Sequence, residues 1–442
     1  MKLALLPTDW LIWAVVLVTL VWSIRMRAHP MLMENWRKVF LKPSAMVSGL
    51  VLASFVCIAL LDSMRWVDPS RPGDNALSAL DRALAPLVQA RERRYSAPLA
   101  YVSFRKESME RDGQTVRDYP RLQFGGAQLQ NPQTEWFGDV LERSAKALVK
   151  GLAAVLVLGL LLRWLFRQSP YPWPWAFAAG SLLLLLACWA VELSAAYHVL
   201  GTDRTGNSVL WIALKSIRTA LVIGVLTTLV VLPLALGLGV IAGYFRGWID
   251  EVIQYLYTLL SSIPDVLLIA AAVLLLQVTI DNHPELFATA LERSDARLLF
   301  LCLILGLTAF TGLCRLVRGE AMKLRELEYI QAARAFGVSS FGIISKHIVP
   351  NLMHIVLISM VMQFSGFVLA EAVLSYVGVG VDPKTQSFGV MINAARAELA
   401  ATPVVWWTLT TAFIFMLMLV LSANLFSDAV RDAFDPRARQ KA

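Results

Sequence analysis

The chain has 442 residues and little charge: Asp, Glu, Lys and Arg make up 16% of it, against about 25% in an ordinary soluble domain. Cysteine and histidine are scarce too. Cys57, Cys188, Cys302 and Cys314 stand singly in apolar stretches without metal-type spacing, so they read as packed small hydrophobes. His29, His198, His283, His347 and His354 are scattered, and no metal site is expected. The chain lacks a Gly-rich phosphate loop ending in Lys-Ser/Thr, a nucleophile elbow, paired histidines on a helix and a calcium loop. These absences argue against an ATPase site, hydrolase chemistry and any catalytic residue on this chain. If it moves a solute uphill, the energy comes from a partner or an ion gradient.

What it has in quantity is apolar sequence, 57% of all residues, in long charge-poor runs. Such runs belong in a bilayer, which excludes a disulfide scaffold, a disordered regulator and a soluble nucleic-acid binder. About nine spans are expected, near 10–24, 45–62, 147–166, 174–195, 218–243, 254–278, 297–316, 352–378 and 404–424. The first is read as a retained helix, because Arg25 and Arg27 follow its apolar run.

Basic residues orient the spans. Arg25, Arg27, Arg37, Lys38 and Lys42 fall in the first link, and Arg163 and Arg167 in another. Arg315, Arg318, Lys323, Arg325, Arg334 and Lys346 fall in 315–346. Arg431, Arg437, Arg439 and Lys441 fall in the tail. With nine spans and an outside N-terminus, all four groups are cytoplasmic. The net charge of +8 then needs no nucleic-acid partner.

The long polar segment 63–146 would lie outside, as a small folded insert, a partner-docking surface or a plain linker. Asp74 or Asn75 is a candidate cap for a helix burying Leu77, Leu80, Leu84 and Leu87, with Pro86 weakening it. Leu99–Phe104 reads as a short strand.

The most informative stretch is 328–351, between two spans on the cytoplasmic side. Glu328-Tyr329-Ile330-Gln331-Ala332-Ala333-Arg334-Ala335-Phe336-Gly337 reads as a short helix of small residues closed by a turn at Gly337. A second helix ending at Pro350 is expected after it. Ala332, Ala333 and Ala335 leave room for another surface to approach the backbone. Phe336 offers an anchor for a groove.

This stretch resembles the EAA loop of permease subunits of ATP-binding-cassette (ABC) importers: Glu-Ala-Ala, three residues, Gly, nine residues, then a hydrophobic stretch ending in Leu-Pro. Gln331 stands for the Glu and Val349 for the Leu. Val199-Leu200-Gly201-Thr202-Asp203 with Gly206 and Val209-Leu210 is similar to a segment of dipeptide and oligopeptide permeases, with Asn207-Ser208 in place of Arg-Asp. Gly243-Tyr244-Phe245-Arg246-Gly247-Trp248-Ile249-Asp250 resembles their cytoplasmic turn. Glu371-Ala372-Val373-Leu374-Ser375-Tyr376-Val377-Gly378-Val379-Gly380-Val381 resembles a further motif. Their Pro-Ser-Trp-Gly survives only as Gln386-Ser387-Phe388-Gly389. The resemblance covers about 198–435 and is to the second, C-type, permease of peptide-type importers.

The resemblance implies an all-α polytopic membrane protein with a type I importer-like core. The expected domains are N-terminal spans (1–62), an extracytoplasmic insert (63–146), an extra hairpin (147–197), the permease core (198–430) and a cytoplasmic tail (431–442). It implies a heterodimer with a second permease, two ATP-binding subunits on the 328–351 loop and an extracytoplasmic solute-binding protein, in the bacterial inner membrane. No cofactor is expected on this chain, with ATP and Mg on the partner subunits. Glu328, Gln331 to Gly337 and Pro350 would form the ATPase-docking loop.

Glu371 and Asp265 fall in expected spans, where an unpaired carboxylate costs a few kcal/mol. Each is a candidate pathway or interface residue. The bland alternatives are a structural hydrogen bond for Glu371 and a local kink at Pro264 beside Asp265. Gly239, Gly243 and Gly247 read as helix-packing positions, and Trp173, Trp175, Trp406 and Trp407 as an interfacial belt. Two other function classes stay open on the residues alone: an ion-coupled secondary carrier, and a membrane scaffold or sensor using 63–146.

Overall fold

The computed structural model describes residues 2–434 apart from 4, 27–29, 68–75, 112–113, 166–169, 284, 286 and 288. Arg27, His29, Asp74, Asn75, Arg167, Arg437, Arg439 and Lys441 lie outside the described residues.

The apolar runs form helices because a backbone without water must satisfy its own hydrogen bonds. The short strands β1 (Lys2–Leu3), β2 (Arg65–Val67) and β3 (Leu77–Ser78) form one antiparallel sheet, and β4 (Glu107–Arg111) and β5 (Gln114–Asp118) form a hairpin. The helices are α1 (Pro7–Met26), α2 (Pro30–Leu41), α3 (Pro43–Ser63), α4 (Ala79–Ala83), α5 (Ala85–Gln89), α6 (Pro132–Leu165), α7 (Trp173–Ser194) and α8 (Val209–Phe245). They continue as α9 (Trp248–Ser262), α10 (Asp265–Asn282), α11 (Ala290–Arg325), α12 (Glu328–Ala335), α13 (Ser340–Ile343), α14 (Val349–Val377), α15 (Phe388–Leu399) and α16 (Trp407–Phe434). Among the described residues, nine helical stretches are long and apolar enough to cross a membrane.

Two compact units emerge. The first comprises Met1–Leu5, Phe40–Thr219 and Thr385–Ser422. In it α6 packs along α7, and α7 along α3. The polar segment folds against the residues that precede α8. Glu92, 5% exposed, accepts hydrogen bonds from the backbone N–H groups of Gln123, Phe124 and Gly125 at 2.8–3.0 Å. Thr202 donates to Arg94 O (2.9 Å) and accepts from Ser96 N (2.6 Å). The Trp407 indole donates to Thr202 O at 3.0 Å.

Several expectations are corrected in this unit. Trp407 is only 1% exposed; its N–H is bound inside the fold, so it is no belt residue. Leu99–Phe104 is no strand: Leu99 adopts a positive φ of 58°, and only Val102 bridges to Arg121. The helix expected over Leu77–Leu87 is broken. Leu77 lies in β3, Ser78 caps α4 in a capping box with Asp81, and Pro86 opens α5, where its missing N–H costs nothing. Helix α6 begins at Pro132, well before the span expected from 147. Glu135 accepts from the N–H groups of Gln130 and Asn131. The i,i+4 pairs Asp139–Arg143 and Glu142–Lys146 then extend the helix beyond its apolar part.

The second unit comprises Leu6–Val39, Ala220–Lys384 and Ala423–Ala442. Its core gathers Tyr244, Ile253, Phe310, Val317, Ile330, Ile343, Ile348 and Leu352. Helix α1 joins α11, with Thr8 N donating to Asp295 Oδ2 at 3.0 Å. Gly239 and Gly243 let α8 close on α11: a Cβ there would fall 2.8 Å from Cys314 O and 2.6 Å from Arg318 O. Gly247 does not share that packing; it turns the chain at φ 63° as the cap of α9.

The span expected over 254–278 is in fact two helices. Ile263 and Pro264 are extended, because the Pro264 ring disfavours a helical conformation at Ile263. The helical chain is therefore interrupted, and Asp265 opens a new helix.

Candidate functional site

The 328–351 stretch stands on a fixed base at the ends of α8 and α11. Arg325 donates to Tyr244 O at 2.7 Å. Arg246 pairs with Glu326 at 2.8 Å. Arg318 grips Asp250 in a two-pronged contact of 2.5 and 2.7 Å, and this partner holds the Asp250 carboxyl below the usual range.

From that base α12 projects with one buried anchor, Ile330, 2% exposed. Its other face is bare. Glu328, Gln331, Ala332, Arg334, Ala335, Phe336 and Gly337 are exposed, and Ala333 is half-buried. The Gln331 side chain turns inward to Glu326 O at 3.1 Å. Gly337 has φ 79°, and a Cβ there would meet nothing within 4 Å. Backbone conformation, rather than crowding, therefore calls for glycine. Around it Gly337 N donates to Arg334 O and Val338 N to Ala333 O, closing the helix in a left-handed cap. Phe336 is 88% exposed and Phe341 80%: one aromatic ring on each side of the Gly337 turn is left largely unburied.

The second helix does not end at Pro350. Ser339 caps α13, a wide five-residue turn follows at Ile344–Ile348, and α14 runs on from Val349. Pro350 lies in the first turn of α14, where its missing N–H is tolerated, and the wide turn, closed by Val349 N on Ile344 O, admits its ring. The exposed turn is thus continuous with a span. Asn351 braces it, donating to Tyr329 Oη (3.1 Å) and His347 O (2.7 Å).

Glu371, 1% exposed, accepts from Ser375 Oγ at 2.7 Å. Ser375 Oγ in turn accepts from Val381 N at 3.3 Å. Gly378 closes α14 at φ 91°, and a Cβ on Gly380 would fall 2.0 Å from Ser375 Oγ. The Glu-Ala-x-Leu-Ser…Gly-x-Gly pattern is therefore one hydrogen-bonded knot at the end of α14.

Asp265 is placed apart from Glu371. It is exposed and lines a cavity of about 480 Å³ between α10, α11 and α14. Thr308 and Gln363, which sequence reasoning passed over as single polar residues in apolar runs, share that cavity. Only their helical phase beside Leu305 and Gly366 could have signalled it.

Residues 235–440 match the family described as binding-protein-dependent transport system inner membrane component. The oligopeptide transport system permease protein OppC of Mycobacterium tuberculosis is 36% identical over 242 residues, covering 55% of this chain and 77% of that one. The dipeptide transport system permease protein DppC of Lactococcus lactis is 29% identical over 243 residues, 55% of this chain and 65% of that one. The glutathione transport system permease protein GsiD of Pectobacterium atrosepticum is 29% identical over 248 residues, 56% and 75%. With nine helical stretches among the described residues long and apolar enough to cross a membrane, this chain is a multi-pass membrane protein of the ABC-importer permease family.

Proposed function

We propose that the chain is one of two different permeases in a bacterial cytoplasmic-membrane importer for peptides or similar solutes. Two ATP-binding subunits carry ATP and Mg and dock on 328–351, and an extracytoplasmic binding protein delivers the solute. The observation that carries this reading is the bare turn at Phe336–Gly337, held on an ion-paired base and continuous with α14. A groove on an ATPase would receive Phe336 and Phe341 and so gain apolar burial that the free chain lacks. When the ATPases close, the push on α12 enters α14 through the braced turn at Asn351, and α14 re-orients the pathway between outside and inside. The names of the relatives support a peptide-like cargo. Family membership favours this reading over an ion-coupled carrier or a scaffold.

The test is purification of the tagged chain in gentle detergent, followed by peptide uptake in proteoliposomes given binding protein and ATP. Co-purifying ATPase subunits and ATP-dependent uptake are expected. A chain that purifies alone from native membranes, with uptake driven by an ion gradient, would overturn the proposal.

A further inference from the structure

The cavity beside the helix break has an electrostatic imbalance. Leu305 and Ala309 lie halfway along α11 and Gln363 halfway along α14, while Val373 and Leu374 lie near the end of α14 and Asp265 at the start of α10, so the cavity runs from mid-helix towards the helix ends. Its walls are mostly apolar, with Ile269, Leu305 and Phe367 prominent. Three polar side chains enter it. The Thr308 hydroxyl is committed to Leu305 O at 3.0 Å. The other two bring acceptor atoms that no donor meets, the Asp265 carboxylate and Gln363 Oε1. Gln363 Oε1 is buried and has no hydrogen-bond partner. The Asp265 carboxylate has no hydrogen bond or ion pair among the described residues. No Lys, Arg or His lines the cavity.

Leaving the Gln363 acceptor unmatched is costly, because burial has removed its water without supplying a donor. Asp265 opens α10. An anionic acceptor and a neutral acceptor in an apolar cavity suit a compact cation with several N–H donors beside an apolar group. The volume lies within the roughly 300–1,000 Å³ usual for small-ligand pockets.

We propose that this cavity is a subsite for the N-terminal ammonium of a transported peptide. Asp265 and Gln363 Oε1 accept its protons, and Ile269, Leu305 and Phe367 surround the first side chain. This inference rests on the peptide-importer reading.

The test uses the purified importer complex, both permeases with their ATPases, without binding protein. Its affinity is measured for trileucine and for the desamino analogue 4-methylpentanoyl-leucyl-leucine. Wild type is expected to bind trileucine about tenfold more tightly or better, as one charged hydrogen-bonded contact implies. Asp265→Asn should remove that preference, Asp265→Glu should keep most of it, and Gln363→Leu should lower it. Equal affinities in wild type, or equal losses for both ligands in Asp265→Asn, would overturn the subsite. So would loss of the second permease from the Asp265→Asn complex, which would assign the carboxylate to a cation of that subunit. Absence of binding while the binding protein still drives trileucine uptake overturns the subsite alone. Absence of any peptide uptake overturns the importer reading and the subsite with it.

Discussion

Lys215 Nζ sits 2.8 Å from Asp81 Oδ2 and 3.4 Å from Asp62 Oδ1, joining the start of α8 to the polar insert and the end of α3. All three side chains are largely buried, and the Trp211 indole donates to the same Asp81 at 2.9 Å. Burial opposes ionisation of Asp81, but the Lys215 charge and hydrogen bonds outweigh it and keep the carboxyl below its usual range. Lys215→Met would take the shared cation from two buried carboxylates, leaving Asp81 its neutral donors Ser78 N and Trp211 Nε1 and Asp62 only the Arg65 guanidinium at 3.9 Å. It should destabilise the first unit by about 3–5 kcal/mol, read as a lower unfolding temperature and faster proteolysis of the insert. Adding Asp81→Leu should recover part of the loss; a Lys215→Met protein as stable as wild type would show that the tie is idle.

Phe336 and Phe341 contribute little to the fold, being 88% and 80% exposed. Alanine at either should change stability by no more than about 0.5 kcal/mol. If the rings dock into ATPase grooves, each alanine should cut ATPase retention about tenfold or more, the scale of an interface hot spot. Co-purification from membranes measures this, with thermal unfolding as the control.

Gly337 separates backbone from charge. Its φ of 79° with open space around it penalises a branched residue by about 1–2 kcal/mol and asparagine least. Gly337→Asn should therefore retain most ATP-dependent uptake, and Gly337→Val should lose it through the turn. Gly337→Asp should abolish uptake while the protein stays in the membrane, because it sets a negative charge on the docking face. Equal uptake by the asparagine and aspartate variants would remove charge from the account.

Glu92 predicts a pH dependence. Burial raises its carboxyl, but the His198 ring, 3.8 Å from Oε1, and the N–H groups of Gly125, Gln123 and Phe124 bring it down from 4.5 to about 2. A folded-state value below the unfolded one stabilises the fold above pH 4.5, and that contribution fades as pH falls towards about 2. Glu92→Gln should cost about 1–3 kcal/mol near neutral pH and flatten the acid limb. Denaturation of both proteins at several pH values between neutral and about 3 would show the two curves converging in acid.

The membrane character was legible because hydropathy needs no partner: every expected span has a helix over part of it. Gly337 was legible for the same reason, since a left-handed turn is a local demand. The breaks were less so. Pro264 announced a disturbance, but whether a chain kinks or stops depends on neighbours that can re-satisfy freed carbonyls. Pro350 looked like a helix end and instead begins one, because the wide turn before it makes room for the ring. Trp407 looked interfacial by composition; a single acceptor, Thr202 O, brought from about two hundred residues away, draws it inside.

Sequence by itself determined the class: an apolar, charge-poor chain folded as membrane helices, with a small-residue loop and an ordered set of motifs that identify a permease. Those signals are written in neighbouring residues and in composition. Tertiary structure decided which polar groups are satisfied. Lys215 found Asp81 and Asp62, Trp407 found Thr202, and the Asp265 carboxylate and Gln363 Oε1 met around one cavity that no Lys, Arg or His lines. Such pairings depend on which helix faces approach, and residues a hundred positions apart carry no local trace of one another.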